Sequence, residues 1–62
     1  MKDYLCVVTD KLIKNKDYAS YEMRATDSFF ANIAAITNFE NEQKYQPRLR
    51  QVKDWYVEVI EI

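Results

Sequence analysis

Not one of the 62 residues is glycine, and this absence restricts the possible backbone more than any motif in the chain. Glycine enters positive φ without steric cost, and two-residue hairpin turns need positive φ at one or both central positions. Without it, tight reversals must rely on Asn or Asp, and longer turns are expected. The same absence rules out a Gly-rich phosphate-cradling loop, which argues against nucleotide hydrolysis.

Length sets the next bound. A chain of about 60 residues buries only ~60% of the surface its unfolded form exposes, enough for one core and no second domain. Residues 1–62 therefore read as a single domain. Domains this small usually need a disulfide, a metal, a partner subunit or very good packing to offset chain entropy. Cys6 is the only cysteine and there is no histidine, so neither an internal disulfide nor a Cys/His zinc site can be assembled. No cofactor is expected, and support from a second copy or another partner is the more natural expectation.

With 48% hydrophobic and 15% aromatic residues and a net charge of −1, the composition is that of a folded domain. It lacks the charge bias of a polyanion mimic or of a protein that coats nucleic acid, although a local patch is compatible with it. The apolar run Tyr4 to Val8 is shorter than a signal-peptide core and far shorter than a membrane span. A cytoplasmic location without membrane contact is expected, with Cys6 buried as a small hydrophobe in a reducing compartment. Abundant Tyr, Phe, Ile, Asn and Lys beside scarce Gly and Pro would suit an AT-rich gene of a phage, plasmid or low-GC bacterium.

Tyr4-Leu5-Cys6-Val7-Val8-Thr9 is rich in β-branched and aromatic residues and predicts a first strand, with Ile13 as the furthest extension the pattern allows. Lys14-Asn15-Lys16-Asp17 supplies a turn. Tyr18 to Ala25 then alternates, with Tyr21, Met23 and Ala25 on one face and Ser20, Glu22 and Arg24 on the other, as in a half-buried strand. Thr26-Asp27-Ser28 is a cluster of capping residues that predicts a helix start. Phe29, Phe30, Ile33, Ala34, Ile36 and Thr37 recur at helical spacing as far as Phe39 and read as the stripe that meets the sheet. Pro47 excludes a continuing helix and pushes Gln46 toward extended backbone. Tyr45 to Val52 is then a loop or a short extra strand. Trp55 to Ile62 alternates again, with Trp55, Val57 and Val59 against Tyr56, Glu58, Ile60 and Ile62.

The fold class is therefore α+β: a ββαβ chain forming a three-stranded antiparallel sheet, ordered 2-1-3, with one helix on one face. The expected core is Phe29, Phe30, Ile33, Ile36, Tyr21, Met23, Trp55, Val57 and Val59, with Trp55 central. The first and third strands carry apolar residues on both faces, so the open face of the sheet should be covered by a second copy or a partner.

Catalysis is not expected. Histidine, the side chain that most often titrates near neutrality, is missing, so no Cys-His or Ser-His dyad exists. Cys6 lies in an apolar run without a neighbouring cation, as an inert core thiol does. Glu40, Glu42, Glu58 and Glu61 read as solvated carboxylates.

The binding signal lies in Lys44 to Lys53, which holds four cations and no acid and is followed by Trp55 and Tyr56. Tyr45, Arg48, Arg50, Lys53 and Tyr56 are the candidate partner-binding residues. Arg interleaved with aromatics suits a protein hot spot or a surface that holds phosphates and stacks bases, and a solvated loop before a core strand has the same composition. A protein partner is the leading reading and a small nucleic-acid-binding module the alternative.

The opening strand, then Tyr21-Glu22-Met23-Arg24-Ala25-Thr26-Asp27-Ser28 leading into an apolar-striped helix, then Trp55-Tyr56-Val57-Glu58-Val59 as a return strand, resembles small phage-encoded inhibitor proteins. These include several anti-CRISPR proteins and a coliphage inhibitor of host RNA polymerase. The chain departs from them by opening its helix with Phe29-Phe30, where such helices more often place acidic residues and alanines. The resemblance carries over no functional residue. It implies a compact, non-enzymatic inhibitor that blocks the surface of a host protein or protein complex.

Overall fold

The computed structural model describes residues 1–62, which form β1 (Lys2–Asp10), β2 (Asp17–Ala25), α1 (Ser28–Tyr45), the single turn α2 (Pro47–Arg50) and β3 (Trp55–Glu61). The sheet is antiparallel and ordered β2-β1-β3, with α1 packed on one face, as the ββαβ element order predicts. Cys6 lies between Tyr21 of β2 and Val59 of β3, and Val8 between Ala19 and Val57. Period-two geometry turns all six of these side chains toward the helix.

The β1–β2 connection shows what a glycine-free chain does at a reversal. It is long, and Asn15, at φ 64°, is the one residue with positive φ; Asn tolerates that region because its short polar side chain bonds locally. The Asp10 carboxylate accepts hydrogen bonds from the Leu12 and Ile13 amides, both at 2.7 Å. A register shift at Val8/Thr9 absorbs the mismatch between the two strands.

Within the predicted capping cluster, Asp27 is the N-cap: its backbone is extended and its carboxylate accepts from the Phe30 amide at 3.2 Å. The helix then runs past Phe39 to Tyr45. The polar stretch Glu40 to Lys44 breaks the apolar stripe, but Glu, Gln and Lys are good helix formers and carry the helix onward. It stops at Gln46, which is extended ahead of Pro47 for the steric reason that applies to any residue before proline. Pro47 opens α2, where its fixed φ suits a first helical position. The segment 45–52, expected as a loop or strand, is therefore the end of α1 followed by one helical turn and its exit, and it buries Leu49.

The helix presents the opposite side to the one expected. Ala31, Ala35 and Phe39 are 0% exposed, whereas Phe29, Phe30 and Ile33 are 64%, 53% and 44% exposed, and Ile36 is half-buried. The sheet explains the difference. Its inner face already carries Tyr4, Tyr21, Met23 and Trp55, so only small side chains allow the helix backbone to approach. The Cys6 thiol of β1 donates to the Ala31 carbonyl at 3.7 Å. Tyr21, Met23, Trp55, Val57 and Val59 do pack against the core, but its centre is Phe39 rather than the half-buried Trp55. The Phe39 ring meets Trp55 edge-on at 4.8 Å between centroids and Tyr18 at 6.3 Å.

Truncating a fully buried aromatic costs about 3–5 kcal/mol, comparable to the whole stability of a domain this small. Phe39→Ala is expected to be largely unfolded, while Phe30→Ala should stay within about 0.5 kcal/mol of the parent. Denaturant titration followed by circular dichroism checks both; a destabilised Phe30→Ala beside an unaffected Phe39→Ala would mean that the helix is rotated.

Candidate functional site

The five residues singled out from the sequence do not share one surface. Tyr45 is 82% exposed at the end of α1, and Arg48 and Lys53 are exposed on α2 and on the link to β3. Arg48 and Lys53 line one shallow hollow together with Lys16, Asp10 and Asp54. Arg50 turns back instead: its Nε donates to the Gln43 carbonyl at 3.2 Å and its Nη2 to the Lys44 carbonyl. It thereby satisfies unpaired carbonyls at the C-terminal end of α1, where the helix dipole also favours a cation. Tyr56, 46% exposed, lies on the opposite face of the sheet across from Thr9. The hollow is thus of mixed charge, and a polyanion entering it would meet carboxylates as well as cations.

Two further surfaces are unpartnered, and only the second is expected from the sequence. One is the outer side of α1, where Phe29 and Phe30 pack edge to face at 5.4 Å between centroids beside exposed Ile33 and Ala34. No charged residue occurs from Ser28 to Phe39, and the Thr37 hydroxyl donates to the Ile33 carbonyl at 3.0 Å, which leaves the patch almost wholly apolar. The missing charge over those twelve residues was the available signal, since one side of a surface helix is ordinarily charged.

The other is the open face of the sheet. Its side chains fall in rows given by the strand register: Arg24 beside Asp3; Glu22, Leu5 and Ile60; Ser20, Val7 and Glu58; Asp17, Thr9 and Tyr56. Arg24 pairs with Asp3 at 3.0 Å on this face, and Lys2 with Glu61 at 3.6 Å at the sheet end, in register with the inward residues Ala25 and Tyr4. Glu22 and Glu58 have no cationic partner.

The remaining polar chemistry supports the fold. Cys6 is buried and burial pushes its thiol pKa up, which disfavours the reactive thiolate. No cluster of His, Cys, Asp or Glu is arranged to hold a metal ion. The Tyr21 hydroxyl donates to the Glu42 carboxylate, tying β2 to α1 across the core edge. Burial, and secondarily that hydrogen bond, raises the pKa of Tyr21. The chain matches no protein-family model, no curated protein and no solved structure.

Asp10, on the wall of the hollow, is the titrating group whose state the loop depends on. The hydrogen bond from the Tyr18 hydroxyl, followed by those from the Ile13 and Leu12 amides, holds its carboxyl below the ordinary value. A carboxylate with a depressed folded pKa contributes stability in full above the unfolded value, near ~3.9, and loses it as pH falls through the lower folded value. Asp10→Asn should melt below the parent at neutral pH, with the gap closing under about pH 4. Thermal melts of both proteins across that range check this; a gap independent of pH would mean that the charge does not hold the loop.

Proposed function

We propose that this chain is a non-enzymatic binding protein that acts by occupying the surface of a partner protein, with the uncharged outer side of α1 as its principal contact. The observation that carries this reading is the exposure of Phe29, Phe30 and Ile33 side by side on a helix with no charge for twelve residues. Soluble monomers seldom leave such a cluster uncovered, and aromatic residues concentrate at the desolvated centre of protein interfaces. The edge-to-face contact of the two rings fixes them before binding, which lowers the ordering cost of association.

The resemblance to phage-encoded inhibitors gives the reading its biological form: a phage or mobile-element protein that blocks a host complex, such as a CRISPR effector or another defence or transcription assembly, in the host cytoplasm. No helix is long and apolar enough to cross a membrane. A heterologous protein is the favoured occupant, and a homodimer through the same patch would meet no like-charge repulsion. The nucleic-acid alternative draws on Arg48 and Lys53 with Lys16 beside them in the hollow, and not on Arg50, which is engaged with the α1 carbonyls.

A tagged pull-down from nuclease-treated and untreated host lysate tests the reading with Phe29→Ser/Phe30→Ser and Arg48→Ala/Lys53→Ala variants, both checked for folding. A stoichiometric protein partner should survive nuclease and be lost in the Phe pair, since interface anchors are worth at least about 2 kcal/mol each, roughly 30-fold in Kd. Recovery of nucleic acid alone, lost only in the Arg48/Lys53 variant, would replace it with the nucleic-acid reading. Sedimentation equilibrium at micromolar concentration separates a second copy from a different partner.

A further inference from the structure

The open face of the sheet is a second unpartnered surface, on the other side of the molecule from Phe29 and Phe30, and its charges select what fits it. Glu22 on β2 stands opposite Leu5, and Glu58 on β3 stands opposite Val7. The two carboxylates therefore lie on a diagonal whose midpoint falls on β1 between Leu5 and Val7, both half-buried. Ile60 and Tyr56, both exposed, extend the apolar area along β3. The one cation that the strands place on this face, Arg24, is engaged by Asp3 at 3.0 Å, and Lys14 of the β1–β2 loop borders a hollow beside Val7, Tyr56 and Glu58 without an ion pair to Glu58.

Spacing converts this pattern into a ligand shape. Strands about 4.8 Å apart and a rise of about 3.4 Å per residue place the Glu22 and Glu58 backbones about 12 Å apart along the diagonal. On an α-helix, with about 1.5 Å rise per residue, positions seven or eight apart share a face and are separated by about 10.5–12 Å. Positions three and four along that face come over the midpoint.

We propose that this face docks a cationic amphipathic helix of a partner protein, with basic residues seven or eight positions apart on Glu22 and Glu58 and the apolar residues between them on Leu5 and Val7. Other occupants fit less well. A second copy, related by a two-fold axis through the centre of the face, brings no strand cation over either carboxylate. It would bury both against Ile60, Ser20 or each other, and an unpaired buried charge is strongly unfavourable. Nucleic acid and anionic lipid surfaces carry the same sign as the two acids. The proposal stands independently of the α1 reading because it uses none of the same residues.

The probe is a fluorescein-labelled, alanine-rich helical peptide of about 18 residues, with lysines seven apart flanking a leucine pair. It is titrated by anisotropy beside an isomer of identical composition whose lysines lie on the opposite face and a version with Glu for Lys. Binding to the parent protein is expected for the first peptide, with amide shifts at Leu5, Val7 and Ile60 by NMR and about tenfold weakening in each of Glu22→Gln and Glu58→Gln. The double reversal Glu22→Lys/Glu58→Lys should instead bind the Glu peptide, which a general loss of folding could not produce. Equal binding of the isomer, indifference to both substitutions, or binding lost in Phe29→Ser/Phe30→Ser would overturn the proposal. So would a dimer in solution that Leu5→Asp dissolves, which would give the face to a second copy. Phe29 and Phe30 can fail as the contact of a host partner without affecting any of these peptide outcomes.

Discussion

Ala31 and Ala35 lie one helical turn apart and expose none of their surface, and in a chain without glycine they are the smallest side chains that could stand at the contact between α1 and β1. Their size lets the helix backbone settle close to Cys6. The same closeness limits the core, because each alanine brings little apolar area out of water. Only nine residues are buried, and the largest wholly buried side chains are Phe39, Val8 and Cys6. Much of what holds the molecule together therefore passes through one end of the helix, where Phe39 reaches between Tyr18 and Trp55 and Leu49 closes the cluster from α2. The Tyr21–Glu42 hydrogen bond reinforces that end.

A tight helix–sheet contact built on alanine has a second consequence. The bulky apolar residues of the first two turns of α1 cannot also face the sheet, so Phe29, Phe30 and Ile33 are turned outward. The sheet behaves similarly: period-two alternation places Tyr4, Cys6 and Val8 inside and leaves Leu5 and Val7 on the face that no element covers. Both unpartnered surfaces follow from covering a three-stranded sheet with a single helix.

Strand positions, strand order and the helix start were legible because each rests on a local rule: alternation in Trp55 to Glu61, a capping carboxylate at Asp27, a positive-φ Asn at position 15. The face of α1 was not, since Phe29, Ile33 and Ile36 have helical spacing just as Ala31, Ala35 and Phe39 do. The choice between the two stripes depends on the volume of the side chains opposite, which only the assembled sheet supplies. The C-terminal end of α1 is not legible from periodicity, because the apolar stripe fades at Glu40 while the good helix propensity of Glu40 to Lys44 carries the helix on to Tyr45. Among the candidate contact residues, Arg48 and Lys53 were legible as exposed cations. Arg50 was not recognisable as a cap, because its acceptors are backbone carbonyls six and seven residues earlier. Tyr56 could have been separated from the others by alternation alone, since it opposes Trp55 and Val57 on the same strand; nearness in sequence obscured that.

The molecule measures 34 × 25 × 14 Å, and its two apolar surfaces lie on opposite sides of a layer only one helix and one sheet thick. A partner seated on α1 cannot reach Leu5 or Val7 without passing around the edge of the sheet. Each surface must therefore be explained by its own contact, and folding explains neither well. Exposed side chains such as Phe29 and Phe30 contribute little to stability beyond their helix propensity, and polar residues there would improve solubility at almost no cost to the fold. The same holds for Ile60 beside two unpaired carboxylates. The helix patch is uncharged and aromatic, whereas the sheet face is apolar at its centre and acidic at its corners, so the two call for ligands of different chemistry.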